Sequence, residues 1–545
     1  MRPCYLKYVF ISLCVLSSLA GCSQPAKKIN KTDSIKKTWN ETVPGAFSRQ
    51  STLVFDSTNI ALFLKKYPNV QGYEGDIRSF YRKRNFSYAW FDKGVLIEQA
   101  GNLANKVLNL QNEGVYKQLQ YQKALDSLMY GVNKNAEANK PDVTLELLLT
   151  AEYFVFSKLA WEGMNASVSK SAKWYLPRKT IAYDEYLDSL LTAPVDETAE
   201  NEPVYRQYKL LKDYLKKYRK LDAEGIWTPI IIGKKSLKLG DTTFVLKILK
   251  GRLLRLDDLH GDTLSNLFDD ELSVAIKHFQ KRNGLNPDGK LNKETIAELN
   301  IPLKTRIKQI LVNMERSRWL PPTLAGDYVA VNIPEFKVHV YHADSLLWSC
   351  NAVVGKRTHA TTLFYGEIKY VVFSPYWNVP PGILENEIIP GMNRNAKYLA
   401  NHNMEVTGYS GGLPIVRQRP GSDNSLGLVK FLFPNSYNIY LHDSPAKSLF
   451  GETSRAFSHG CIRIAEPAKL AGFLLKNNDD WNDEKIDKAM HKGVERSVTL
   501  KKKVPVFIAY FTAFIDRDHN LNFRKDIYNL DDRLASMILS GDGAY

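Results

Sequence analysis

The stretch HDSPAKSLFGETSRAFSHGCIR, residues 442–463, decides how the C-terminal half of this sequence is read. It ends in Ser458-His459-Gly460-Cys461-Ile462-Arg463 and opens on His442, which closes the strand-like run YNIYLHD. A thiol attacks carbonyls as its thiolate, and a free cysteine is only slightly ionised near neutrality, so a nucleophilic Cys461 needs a base or cation beside it. His459 meets that need if the local backbone is extended, because alternate side chains then share a face. His442 meets it if the intervening residues fold back as a loop. Gly460 permits the torsions and the close substrate approach that oxyanion-hole loops require. Two other readings stay open at this point. The two histidines and Cys461 could ligate zinc, with Asp443 supplying a carboxylate base, or all three could be hydrogen-bonded core residues.

Cysteine usage and the N-terminus bear on the choice. MRPCYLKYVFISLCVLSSLAGCS has a short basic start, an apolar run from Tyr8 to Leu16 and small residues before Cys22. That is the pattern of a secretory signal, too short for a spanning helix. Leu19-Ala20-Gly21-Cys22 resembles the bacterial lipobox, which implies lipidation of Cys22, export, and a lipid-anchored periplasmic protein. Of five cysteines, only Cys350 and Cys461 then remain in the folded body. Cys350 lies in the apolar run LLWSCNAVVG and reads as buried filler, whereas Cys461 lies in a polar turn. The formal charge of +16 favours acidic partners. No stripe of basic residues interleaved with aromatics accompanies it, so nucleic acid is not expected as a partner.

At 545 residues, with 44% of them hydrophobic, the chain is expected to form several cored domains. Residues 1–21 read as the signal and the lysine-rich 22–50 as a flexible tether. Helical periodicity dominates 51–236, for example in TLELLLTAEYFVFSKLAWEG. In 237–303, Leu272, Ala275, Ile276 and Phe279 share one helical face, followed by Asn-Gly and Asp-Gly turns and a helix start near Asn292. After a linker at 304–326, runs rich in Val, Tyr and Ile indicate successive strands over 327–480. A long Gly-, Asn- and Pro-rich stretch at about 382–428 reads as a lid or binding surface, and 481–545 reads as an extension completing the β-rich domain.

Family resemblance sharpens these readings. His442, fifteen residues, then Ser458-His459-Gly460-Cys461-Ile462-Arg463 resembles the signature of the L,D-transpeptidase (YkuD-type) catalytic domain. MERSRWLP, VVGK, SPYWNVPPGI, RQRPGSDNSLGLVKFLFPN and YLHDSPAKSLF resemble its large multidomain members, with Ser374 standing where Asn is expected. Gly240-Asp241, AIKHFQ, Asn283-Gly284-Leu285, Asp288-Gly289 and Thr295 resemble a peptidoglycan-binding type 1 module. The fold class implied is multidomain α+β: a helical scaffold, a small helical peptidoglycan-binding-like module, and a mainly-β (β-sandwich) catalytic domain with a lid insertion.

The resemblance implies Cys461 as nucleophile and His442 as general base, the latter oriented by a backbone carbonyl, that of Asp443. It puts Ser458, His459 and Gly460 at the oxyanion and donor site, gives Arg463 a loop-ordering or carboxylate-binding role, and lets Tyr440 and Trp377 shape the pocket. The implied activity is formation of 3→3 peptidoglycan cross-links through a cysteine thioester with release of D-alanine, without metal or organic cofactor. The partners implied are a tetrapeptide stem as donor and the amine of a neighbouring stem as acceptor. The alternatives are an L,D-carboxypeptidase, a hydrolase of wall-linked peptides using the same site, or a non-catalytic wall-binding lipoprotein.

Overall fold

The computed structural model describes residues 53–130, 140–192, 202–233 and 237–541. The expected signal, the tether and Cys22 lie outside the described residues. No described helix is long and apolar enough to cross a membrane.

The N-terminal region is helical. Its central helix α1 (Val143–Phe156) is capped by Asp142, whose carboxylate accepts from the Thr144 and Leu145 amides. Nearly every residue of α1 is buried, including Glu146. That carboxylate is tolerated because it accepts from the Ala89 amide at 2.6 Å, the Trp90 amide at 3.1 Å and the Tyr81 hydroxyl at 2.6 Å. Helix α2 (Arg206–Ala223) follows.

Residues 230–299 have a core of their own, built on Leu246, Leu249, Leu253, Leu272, Ile276 and Phe279. Within it, Gln280 on helix α3 (Asp270–Arg282) joins the motif residues into one network. Its amide nitrogen donates to Asp288 at 2.8 Å and to the Thr295 hydroxyl at 3.0 Å, and its oxygen accepts from the Gly289 amide at 2.8 Å. The module is fastened to the C-terminal segment: Arg282 donates to the Leu521 carbonyl at 3.2 Å, and Arg524 donates to the Arg282 carbonyl at 2.8 Å.

Residues 303–319, in the segment that joins this module to the β-rich domain, form helix α4 (Leu303–Trp319), which is buried despite its charges. Glu315 pairs with Arg318 at 2.5 Å and accepts from the Met164 amide at 2.6 Å. Arg318 also donates to the Ala160 carbonyl at 2.9 Å. Arg316 pairs with Asp531 at 2.7 Å, and Asn313 accepts from the Thr512 amide at 3.0 Å. The polar face of α4 therefore ties the helical region to the C-terminal extension.

The β-rich domain contributes nine strands to a ten-stranded mixed sheet, whose tenth, Trp174–Tyr175, comes from the helical region. Its strands include β1 (Asp327–Asn332), β2 (Lys337–His342), β3 (Ser345–Gly355) and β4 (Leu363–Phe373). After an insertion containing β5 (Trp377–Asn378), β6 (Met404–Ser410) and β7 (Leu413–Gln418) come β8 (Val429–Leu432), β9 (Leu441–His442), β10 (Ala456–Ser458), β11 (Ile462–Ile464) and β12 (Arg496–Ala509). The pairing path runs β8-β9-β11-β3-β2-β1-β12-β4, and β8 pairs with β4 as well, so the path returns on itself. Alternation fills the enclosed side with Val329, Val331, Val338, Val340, Phe431 and Ile508, all fully buried. The insertion forms its own three-stranded sheet, β5-β7-β6, around Leu384, Ile388 and Val416. At its entry Ser374 has a left-handed φ of 44°, a conformation asparagine tolerates best. Here the serine hydroxyl donates towards the Ala489 and Met490 carbonyls, each at 3.0 Å.

Truncating Arg318 to alanine would remove the salt-bridge partner of the buried Glu315, and the expected loss is ~3–5 kcal/mol. It is read as a lower urea midpoint for the whole chain; an unchanged midpoint would show that α4 does not brace the assembly.

Candidate active site

Strand β9 lies parallel to β11, with Leu441 beside Ile462 and His442 beside Arg463. The Ile462 amide donates to the Tyr440 carbonyl at 3.1 Å, which carries the register back to Tyr440 and Cys461. Since side chains alternate along both strands, Tyr440, His442, Cys461 and Arg463 stand on one face, while the fully buried Leu441 and Ile462 point into the core. The Tyr440 and His442 rings meet edge to face at 5.7 Å. Cys461 and His442 are thus diagonal neighbours on one face of two adjacent strands. The residues between them loop out through a short helical turn, Lys447–Gly451, and return as β10, which pairs with the end of β3.

The turn carrying Cys461 is braced from beneath. Ser458 Oγ donates to the Cys461 carbonyl at 2.5 Å and accepts from the Gly460 amide at 3.1 Å. Gly460 has φ +116°, a conformation that strains any side chain. Its carbonyl accepts from Thr361 Oγ1 at 2.8 Å, and Thr361 Oγ1 accepts from the Gly355 amide at 2.9 Å. The Tyr528 hydroxyl closes this brace by donating to the Gly355 carbonyl at 2.7 Å and accepting from the Thr361 amide at 3.1 Å. A Cβ on Gly355 would come 2.1 Å from the His359 carbonyl oxygen and 3.1 Å from Gly460 Cα, so only glycine fits where the two loops meet. Sequence reasoning did not single out Thr361, His359 or Tyr528. The one signal was the glycine in VVGK.

The thiol of Cys461 lies 3.6 Å from the Asn438 carbonyl, to which it donates. Burial pushes its pKa above the ordinary value, while the Tyr440 hydrogen bonds and the charge of Arg463 act the other way. Burial, and next Arg463, push the His442 imidazole down to about 4; the carbonyls of Asp443 and Leu426 oppose that shift. The Asp443 carbonyl therefore favours a proton on the ring. The expected hydrogen bond is not formed, because the buried Nδ1 has no partner among the described residues. Burial lowers the Arg463 pKa, and its buried Nε has no hydrogen-bond partner there either. Near neutrality the face therefore holds a neutral thiol, a neutral imidazole and a guanidinium with an unsatisfied donor.

The remaining expected residues divide. His459 is half-exposed, with Nε2 3.3 Å from Glu387 Oε1 of the insertion and its ring 5.0 Å from that of His359. Burial lowers its pKa and Glu387 opposes this. The buried Asp443 carboxylate accepts from the Leu428 amide at 2.9 Å and pairs with Lys447, and its charge raises the His442 pKa. A Cβ on Gly427 would meet Asp443 Oδ2 at 2.4 Å, so this carboxylate fills the space the 427–429 backbone leaves. Trp377 is buried at the root of the insertion, paired with Gln418 and not with the strands bearing Cys461 and His442. Among the described residues no group of three or more His, Cys, Asp or Glu side chains could hold a metal ion.

Three family models match the chain: the L,D-transpeptidase catalytic domain over residues 326–506, a scaffold domain over 75–215, and a "Putative peptidoglycan binding domain" over 246–299. A curated relative, the "Putative L,D-transpeptidase" of Haemophilus influenzae, is 28% identical over 261 residues, or 44% of this chain and 53% of the relative. The chain thus spans about half the length of that relative. Two solved structures are also similar: L,D-transpeptidase (Yku) from Stackebrandtia nassauensis at 15% identity and TM-score 0.22, covering 51% of this chain and 97% of that one; and the L,D-transpeptidase from Xylanimonas cellulosilytica at 14% and 0.18, covering 51% and 100%. By the matched families, this chain carries an L,D-transpeptidase catalytic domain together with a scaffold domain and a peptidoglycan-binding module.

Proposed function

We propose that the protein is an L,D-transpeptidase that forms 3→3 cross-links in peptidoglycan, with Cys461 as nucleophile and His442 as base. The observation that carries this reading is the shared face of Cys461 and His442 on two strands in parallel register. Cys461 Sγ attacks the carbonyl carbon of the L-centre residue at position three of a tetrapeptide stem. His442 takes the thiol proton and passes it to the departing amine of the terminal D-alanine, so a C–S bond forms as the C–N bond breaks. The side-chain amine of a neighbouring stem then attacks the thioester. Its proton returns through His442 to the sulfur, and the new C–N bond is the cross-link. The Gly460 turn, including the Cys461 amide, offers the developing oxyanion its donors.

Arg463 fits a carboxylate of the stem, since its buried Nε is an unsatisfied donor beside the thiol. A bound carboxylate would offset the cation that helps depress the His442 pKa, making the imidazole a better base once the donor is in place. Residues 382–428 would cover the thioester against water. In support, the insertion has its own core and reaches the catalytic turn through Glu387 and His459. In this reading the chain works outside the cytoplasm, tethered through residues 22–50 to a lipid on Cys22, with 51–236 as scaffold, 237–303 as the wall-binding module and 327–480 with 481–545 as the catalytic unit.

Product masses from defined tetrapeptide muropeptides test the activity. Dimers with loss of D-alanine are expected from the unaltered protein and none from Cys461→Ala; tripeptide alone would make it a carboxypeptidase, and D-alanine release by Cys461→Ala would refute the mechanism. Deletion of 382–428 should shift products from dimer towards tripeptide, and an unchanged ratio would contradict the lid. The pH profile tests the base. As a neutral imidazole is required, activity falls as pH drops through the His442 pKa. The acid limb of kcat/KM, which reports the free enzyme, should lie near pH 4, with that of kcat higher because bound substrate masks Arg463. A kcat/KM limb at about 6.5, the unperturbed histidine value, would contradict it.

A further inference from the structure

On the Asn438 side of the thiol the surface changes character. Tyr437, one Cα step of ~3.8 Å from the residue whose carbonyl meets Cys461 Sγ, is 41% exposed, and Tyr175 is 45% exposed. Their rings stack at 6.2 Å with planes 30° apart. Neither is a loose side chain. The Tyr437 ring rests on buried Phe364 at 4.9 Å, and its amide donates to Asn435 Oδ1 at 2.9 Å. Tyr175 comes from the helical region, but its backbone is paired in parallel with β4, Tyr175 beside Phe364. Its neighbour Trp174 is buried against Trp319 of α4 at 5.5 Å. Two distant parts of the chain are thus folded together to hold an exposed pair of aromatic rings, one of them on the segment whose carbonyl meets the candidate nucleophile.

Around His459 the charges are mixed: Glu387 raises its pKa, while Lys356 and Arg463 lower it. Arg463, with its unsatisfied Nε, suits a carboxylate of a stem peptide. The tyrosine pair offers aromatic faces with hydroxyls at their tips, a surface for a neutral ring that has an apolar face and polar edges. A sugar is such a ring. Three stem residues separate the carbonyl attacked from the glycan, and an extended chain of that length spans ~10 Å, so the sugar must lie close to the site but beyond it.

We infer that Tyr175 and Tyr437 form a subsite that stacks an N-acetylhexosamine ring of the glycan bearing the donor stem. This deepens the peptidoglycan reading above and rests on it for the choice of ligand. It also gives the scaffold a direct part in substrate selection.

Binding can be separated from chemistry in the Cys461→Ala protein, by calorimetric titration with a disaccharide-tetrapeptide and with the same tetrapeptide lacking the sugars. The disaccharide should tighten binding by about tenfold, the size of effect a good aromatic stack confers. Adding Tyr175→Ala should abolish that advantage, while Tyr175→Phe should retain it. Equal affinities for the two ligands, or an advantage that survives Tyr175→Ala, would overturn the subsite. A sugar advantage that depends on Tyr175 in a protein whose unaltered form turns over neither ligand would uphold the subsite and refute the activity instead.

Discussion

The register between β9 and β11 is the constraint on which the site depends. With Leu441 beside Ile462, the apolar members of both strands enter the core, and His442, Arg463, Tyr440 and Cys461 share the other face. A slip of one residue would turn His442 and Arg463 into the apolar core and take Leu441 and Ile462 out of it, so core packing itself holds the reactive pair in place. Catalytic geometry and stability are here the same requirement. The brace of Gly355, Thr361 and Tyr528 under the Cys461 turn adds what pairing alone cannot, since Gly460 sits in a conformation that must be held by its neighbours.

The electrostatics follow from that placement. The thiol and the imidazole both lose water on this face, and burial favours the neutral form of each. The pair therefore rests uncharged, unlike a preformed thiolate–imidazolium ion pair. Arg463 contributes the one fixed positive charge on the face, lowering the base and drawing on the thiol at once. The rest state is poised for an anion to arrive.

Much of this was legible in the sequence because its signals are local. The interval from His442 to Cys461, the glycine between His459 and Cys461, and the change from helical to strand periodicity each report on neighbouring residues. What was not legible is long-range. Tyr528 reaches Gly355 from the C-terminal extension, and nothing in its own surroundings marks it. Helix α4, in the stretch expected to be a linker, carries Glu315, Arg316 and Arg318, which are buried because Glu315 and Arg318 pair with each other, Arg316 pairs with Asp531, and backbone groups of Ala160 and Met164 complete their hydrogen bonds. Asp443, adjacent to the base, invites a catalytic reading from sequence, but its carboxylate closes the gap beside Gly427. Trp377 likewise belongs to the root of the insertion. A residue's chain neighbours reveal what it could do; its contacts across the fold decide what it does.

The central claim is that Cys461 carries the acyl group. Its most direct test is the intact mass of the protein, quenched in acid shortly after mixing with a tetrapeptide donor in the absence of acceptor. The account predicts an increment equal to the tripeptide acyl group, mapped by peptide sequencing to Cys461 and released by mild thiol treatment. Release of D-alanine with no adduct on Cys461 at any quench time would contradict it.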